Sequence, residues 1–225
     1  MIREAIEIGF VIFPYETTNE ESNGKSREID QAKNIQKILD SNSNEKFLIH
    51  CGFDHALEGI HGSWEMAMAE RLKEYTGINP LTINQVVYSE KSKPKLNDPF
   101  LKALNVKVSS VHLDENSEPF KYQRDKAYTD IAVFHPNTEY INNRPDWLFK
   151  NGNEKVSVTL KNITISFPVM VLAFKSGENI KDAVPIDITE IKNKTEECIL
   201  GLKKGKYNIV VTNGKQSVKF NQIVK

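Results

Sequence analysis

The chain has 225 residues, 39% of them hydrophobic, and its 30 basic and 30 acidic side chains cancel. That length suits one large domain or two small ones, and no run of Lys and Arg interleaved with aromatics marks a nucleic-acid surface. The longest apolar stretches, such as GFVIF and FPVMVLAF, are too short to cross a bilayer, and residues 1–20 lack the order of a signal peptide. Neither a transmembrane segment nor a leader is expected, and the compartment is left open.

In chain order, IREAIEI predicts the last turns of a helix closed by Gly9, and FVIFPYE a short apolar strand. After the polar loop TTNEESNGK, Ser26 is placed to cap a helix, REIDQAKNIQKILDS, whose Ile29, Ala32, Ile35, Ile38 and Leu39 make one apolar stripe. KFLIHC reads as a second strand. The loop GFDHALEGIHG leads into a second helix, SWEMAMAERLKEY, with Trp64, Met68, Leu72 and Tyr75 on one face and Gly77 and Pro80 ending it. LTINQVVY reads as a third strand. Residues 89–127 are polar, with a short helix at DPFLKAL and a strand at VKVSSVHL. From Tyr128 come short β-like runs, TDIAVFH, KVSVTL, ITISFPVMVLAF, IDITEI, YNIVVTN and SVKFNQIV, with Asn213-Gly214 read as a type I′ hairpin turn.

Strand, helix, strand, helix, strand with short connections predicts an α/β fold with a parallel sheet. Three strands are few for such a sheet, so it is expected to be incomplete at its N-terminal side, the chain starting inside a larger domain. The expected organisation is this α/β part over residues 1–127, a connector over 128–151, and a small antiparallel, β-sandwich-like domain over 152–225. Cys51 and Cys198 fall in different parts, so reduced thiols are expected.

Ligands of open parallel sheets gather beyond the carboxyl ends of the strands. Glu16 closes the first predicted strand, and Gly52-Phe53-Asp54-His55 follows the second. Neighbouring strands lie about 5 Å apart, so Glu16 and His55 could share a substrate, a proton or a metal. Arg27 lies in the first turn of the intervening helix with Gln31 and Asn34 on the same stripe, within reach of Glu16 or of an anionic substrate. His50 alternates with Ile49 and Cys51 and reads as packed, while His61, near glycines, reads as a loop residue. Zinc held by His50, His55 and His61 is conceivable, but the spacing matches no compact pattern, so the metal is left unknown. No GxSxG elbow is present, so any ester hydrolysis has to activate water. Phe53, Leu57 and Ile60 could line an apolar slot.

REAIEIGFVIFPYE, REIDQAKNIQKIL, FLIHCGFDHALEG and MAERLKEYTGINPLTINQ together resemble the C-terminal half of the haem-binding-uptake and Tiki superfamily, which includes ChaN-like, TraB/Tiki and erythromycin-esterase-like proteins. The resemblance covers about the first ninety residues well and the rest loosely. It places the second GxxH motif on Gly52 and His55, the acid on Glu16, and the helix arginine on Arg27 with Ala32 and Asn34. The first motif, GExH, is missing, which implies a chain truncated upstream and carrying half of the site. The resemblance implies a bacterial hydrolase, esterase-like or metal-dependent, acting on a small molecule. In it His55 is general base or ligand, Glu16 orients it or activates water, and Arg27 holds negative charge. The alternatives are binding of haem, iron or another divalent metal, with His55 as axial ligand and Tyr15 as its partner, or an inactive interaction fragment. Relatives in the group are often exported to the cell envelope.

Overall fold

The computed structural model describes residues 2–225 and divides into two compact units, one ending at Asn137 and the other beginning at Thr138. That division falls inside the stretch expected to be a connector. The fold is mixed α/β, with its helices in the first unit and an antiparallel four-stranded sheet in the second.

The first unit contains, in order, α1 (Ile2–Glu7), α2 (Gly24–Ser41), β1 (Glu58–Gly59), α3 (Met68–Thr76), β2 (Ile83–Asn84), α4 (Pro99–Leu104), β3 (Ser110–Val111), β4 (Tyr122–Arg124), β5 (Ala127–Thr129) and β6 (Ile131–Phe134). Helix α2 begins three residues before the expected start. Asn23 rather than Ser26 is its N-cap, and the Ser26 hydroxyl reaches back to accept from the Asn23 amide at 3.0 Å. Helix α3 ends where expected, on Gly77 in the left-handed conformation at φ 70°. The two helices pack through Ala32, Ile35, Met68 and Leu72. Strands β1, β5 and β4 form one small antiparallel sheet, and β2, β6 and β3 form another in which β2 and β6 run parallel.

The parallel sheet therefore differs from expectation. Among the described residues, FVIFPYE and KFLIHC form no strand, and only Ile83–Asn84 of LTINQVVY does so. Tyr15, Ile49 and Cys51 still pack on the α2–α3 core, but among the described residues the amides and carbonyls of Val11, Ile12 and Phe13, and of Phe47 and Leu48, make no backbone hydrogen bond. An apolar pattern supplies a face to bury, whereas a strand also needs a hydrogen-bonding partner along its edge.

The second unit holds the hairpin β7 (Tyr140–Ile141) and β8 (Arg144–Pro145), then β9 (Glu154–Val158), β10 (Val169–Lys175), β11 (Asp187–Ile191), β12 (Cys198–Leu202), β13 (Gly205–Thr212) and β14 (Ser217–Val224). The sheet order is β11-β10-β13-β14, with β12 and β9 paired separately. Inward residues of both sheets, among them Val171, Leu200, Leu202, Ile209 and Val211, form one core. Strand β12 is buried at every position, so its sequence lacks the alternation of a half-exposed strand. The last hairpin also departs from expectation: Thr212 pairs with Ser217, leaving a four-residue loop rather than a two-residue type I′ turn. The Asn213 side chain closes that loop by accepting from the amides of Lys215 and Gln216.

Candidate functional site

The first turns of α2 organise the candidate residues. Arg27 Nε donates to Glu16 Oε1 at 3.1 Å and its Nη2 donates to Oε2, a bidentate pair. Gln31, one turn on and buried, adds its amide nitrogen at 3.1 and 3.0 Å to the two oxygens, and Thr17 donates its backbone N–H at 3.0 Å. The Arg27 hydrogen bond, with help from Gln31 and Thr17, lowers the Glu16 carboxyl to about 2. Glu16 is thus ionised at neutral pH, with its oxygens occupied by neighbouring donors. Asn34 completes the row by donating to the Tyr15 carbonyl at 3.1 Å.

His55 sits in the 3₁₀ turn Phe53–Ala56. Its partner is Glu28, the residue after Arg27, rather than Glu16. Glu28 is only 1% exposed, and its Oε1 lies 2.7 Å from His55 Nδ1. The distance is that of a close ion pair, and Nδ1 makes no regular hydrogen bond. The other oxygen, Oε2, accepts from the Met68 backbone N–H at 2.8 Å, so one carboxylate both caps α3 and faces the imidazole. Trp64 stacks on the same ring, with centroids 5.5 Å apart and planes 16° from parallel.

The remaining histidines reverse their expected roles. His50 is exposed, whereas His61 is 6% exposed and stacks on Trp64 at 4.2 Å. His61 Nδ1 accepts from the backbone N–H groups of Ser63 and Trp64, both at 3.2 Å, and its Nε2 lies 3.3 Å from Asp54 Oδ2 and 3.1 Å from Arg124 Nη2. Arg124 donates to the same Asp54 oxygen at 2.8 Å, tying the loop to β4. The zinc trio does not assemble: among the described residues, no group of three His, Cys, Asp or Glu side chains is placed to hold a metal. The Tyr15 hydroxyl donates to the His50 carbonyl at 2.8 Å, and burial pushes its phenol up to about 12. A haem held between Tyr15 and His55 does not fit these residues, since that hydroxyl is committed and resists ionisation. Burial also raises the Cys51 thiol to about 11, far from a reactive thiolate.

Glu16 thus pairs with Arg27 and His55 with Glu28, two separate contacts made by neighbouring residues of α2. Glu28 was missed in the sequence, yet it carries a signal: it lies four, seven and eleven residues before Ala32, Ile35 and Leu39, in phase with the apolar stripe. An acid at a core position of an amphipathic helix needs a buried partner. Trp64 was read only as a helix-face residue and lies before the start of α3. Among the described residues, no helix is long and apolar enough to cross a membrane. Comparison with protein-family models, with curated proteins and with solved structures finds no match to the chain.

Proposed function

We propose that the first unit carries a general acid–base site of a hydrolase, with His55 as the group that moves the proton. The single observation behind this reading is the buried Glu28 carboxylate against His55 Nδ1. A carboxylate there fixes the proton on Nδ1, leaves Nε2 with its lone pair for a water molecule, and stabilises the imidazolium formed when that proton is taken. Water then attacks an ester carbonyl, and the same proton is delivered from Nε2 to the leaving alcohol. Among the described residues Arg27 Nη1 makes no hydrogen bond, and the side chain is 42% exposed. It is the donor for negative charge developing on the carbonyl oxygen, held in place by Glu16 and Gln31.

Membership of the haem-binding-uptake and Tiki superfamily forms part of this proposal. It is supported by the spacing of Glu16, Arg27, Gly52 and His55 and by the partners of Glu16 and His55 being the neighbouring α2 residues Arg27 and Glu28. The test is turnover of simple activated esters by the purified chain. Loss of at least a hundredfold in His55→Ala and Glu28→Gln, with the folded state intact, supports the proposal. Equal turnover in the wild type and both variants refutes it. A haemin Soret shift that His55→Ala abolishes, without esterase activity, assigns the site to haem instead.

A further inference from the structure

The second unit holds a cavity of about 290 Å³ lined by Lys175, Ser176, Lys204, Gly205, Lys206 and Tyr207. It forms where β10 ends and β13 begins: Lys175 is in register with Tyr207, and the Ser176 backbone N–H donates to the Lys206 carbonyl at 2.9 Å. Three of the six lining residues are lysines and none is acidic. Among the described residues, the Lys204 and Lys206 ammonium groups and the Ser176 hydroxyl make no hydrogen bond or ion pair. Lysines elsewhere on the chain do face acids, with Lys73 Nζ 3.3 Å from Glu58 and Lys150 Nζ 2.6 Å from Asp146. A lone lysine in water needs no partner, whereas a concavity lined by one sign of charge focuses the field and concentrates counter-ions. Gly205 shapes the floor. Its φ of +152° suits glycine, and a Cβ there would sit 3.7–3.9 Å from the Tyr207 ring, in the gap between the two flanking lysines.

We infer that this cavity binds a small phosphate monoester, its phosphate held by Lys204 and Lys206 with a further hydrogen bond from the Ser176 hydroxyl. The charge selects the ligand class. A phosphate monoester carries about −1.5 to −2 charges at neutral pH and presents three acceptor oxygens, so it neutralises two ammonium groups and takes up several donors, whereas a single carboxylate leaves one cation unpaired. Lysine binds phosphate as a point charge and needs no planar fork, which suits two flexible side chains converging from either side of one glycine. The size selects a small molecule. The volume lies at the low end of the about 300–1,000 Å³ of small-molecule sites. This inference is independent of the hydrolase proposal, because all six lining residues belong to the second unit and His55, Glu28 and Arg27 to the first.

Titration of the full chain with glycerol 3-phosphate at constant ionic strength, followed by backbone amide shifts in proton–nitrogen NMR, tests it. The comparison is with the double variant Lys204→Gln, Lys206→Gln and with Lys215→Gln, a lysine of the last hairpin loop outside the cavity. All three lysines are exposed, so the variants are expected to fold, and circular dichroism checks that they do. The expected result is saturable shifts at Ser176, Gly205 and Lys206 with a Kd of about 1 mM or below, at least tenfold weaker in the double variant and unchanged in Lys215→Gln. Absence of saturable shifts at those residues overturns the inference, as does equal affinity in the double variant or an equal response to glycerol lacking the phosphate. Binding to phosphatidylserine vesicles without binding of the soluble ester also overturns it, by making the lysines a lipid-surface contact.

Discussion

Replacing Glu28 perturbs two connections at once, and the structure allows the cost to be worked out. In Glu28→Ala the Met68 backbone N–H loses a buried acceptor at 2.8 Å, and His55 loses a carboxylate at 2.7 Å. An unsatisfied buried donor costs about 1–3 kcal/mol, and the missing side chain leaves a void at a site 1% exposed. We expect a loss of about 3 kcal/mol in the first unit, more than a hundredfold in its folding equilibrium. Glu28→Gln is expected to lose only about 1 kcal/mol, because its amide oxygen can still accept from Met68. Urea unfolding followed by Trp64 fluorescence measures this, in a Trp147→Phe background that silences the other tryptophan, which belongs to the second unit and is 57% exposed. The double variant with His55→Ala is expected to be less than additive by about 1 kcal/mol. A Glu28→Ala loss within about 0.5 kcal/mol of zero would refute the claim that this carboxylate is a buried, doubly used acceptor.

Three further outcomes follow from other parts of the molecule. The Glu16 carboxyl, lowered to about 2 from an ordinary 4.5 chiefly by Arg27, stabilises the folded state at pH above the ordinary carboxylate range, and that contribution fades as pH falls toward 2. Because the pair is about half-exposed, Glu16→Gln is expected to lose only about 0.5–1 kcal/mol at pH 7 and nothing near pH 2, measured by thermal unfolding across pH. Burial raises the Cys51 and Cys198 thiols to about 11 and 12, so alkylation by iodoacetamide at neutral pH is expected to be roughly a hundredfold or more slower than for a free thiol, recovering in urea. At Gly201, a Cβ would come within 2.4 Å of the Leu148 carbonyl oxygen. Gly201→Ala is therefore expected to destabilise the second unit by about 1–3 kcal/mol in a denaturant titration.

The elements legible in the sequence were those whose signal is local. Helices α2 and α3 follow from their apolar spacing and from the Gly77 stop, and β9, β10, β11, β13 and β14 from alternating runs broken by turn residues. What depended on distant partners was not legible. FVIF and FLIH have strand composition, but pairing is a property of the neighbour as much as of the run. Ser26 looked like a cap because a hydroxyl before an apolar stripe commonly is one, whereas here it serves the cap from inside the helix. At the site, helical reach offered Arg27 either Glu16 or an anionic substrate, and the structure pairs it with Glu16. Glu28 was not, since a stripe counted by its apolar members alone omits an acid lying in the same phase.

The position of the His55 ring proton bears most directly on the account, and nitrogen-15 NMR of the histidines can locate it at a pH where the ring is neutral. If Glu28 orients His55, the proton resides on Nδ1 and Nε2 is unprotonated, and Glu28→Gln removes that preference. A proton on Nε2, or a mixture of tautomers that Glu28→Gln leaves unchanged, would contradict it.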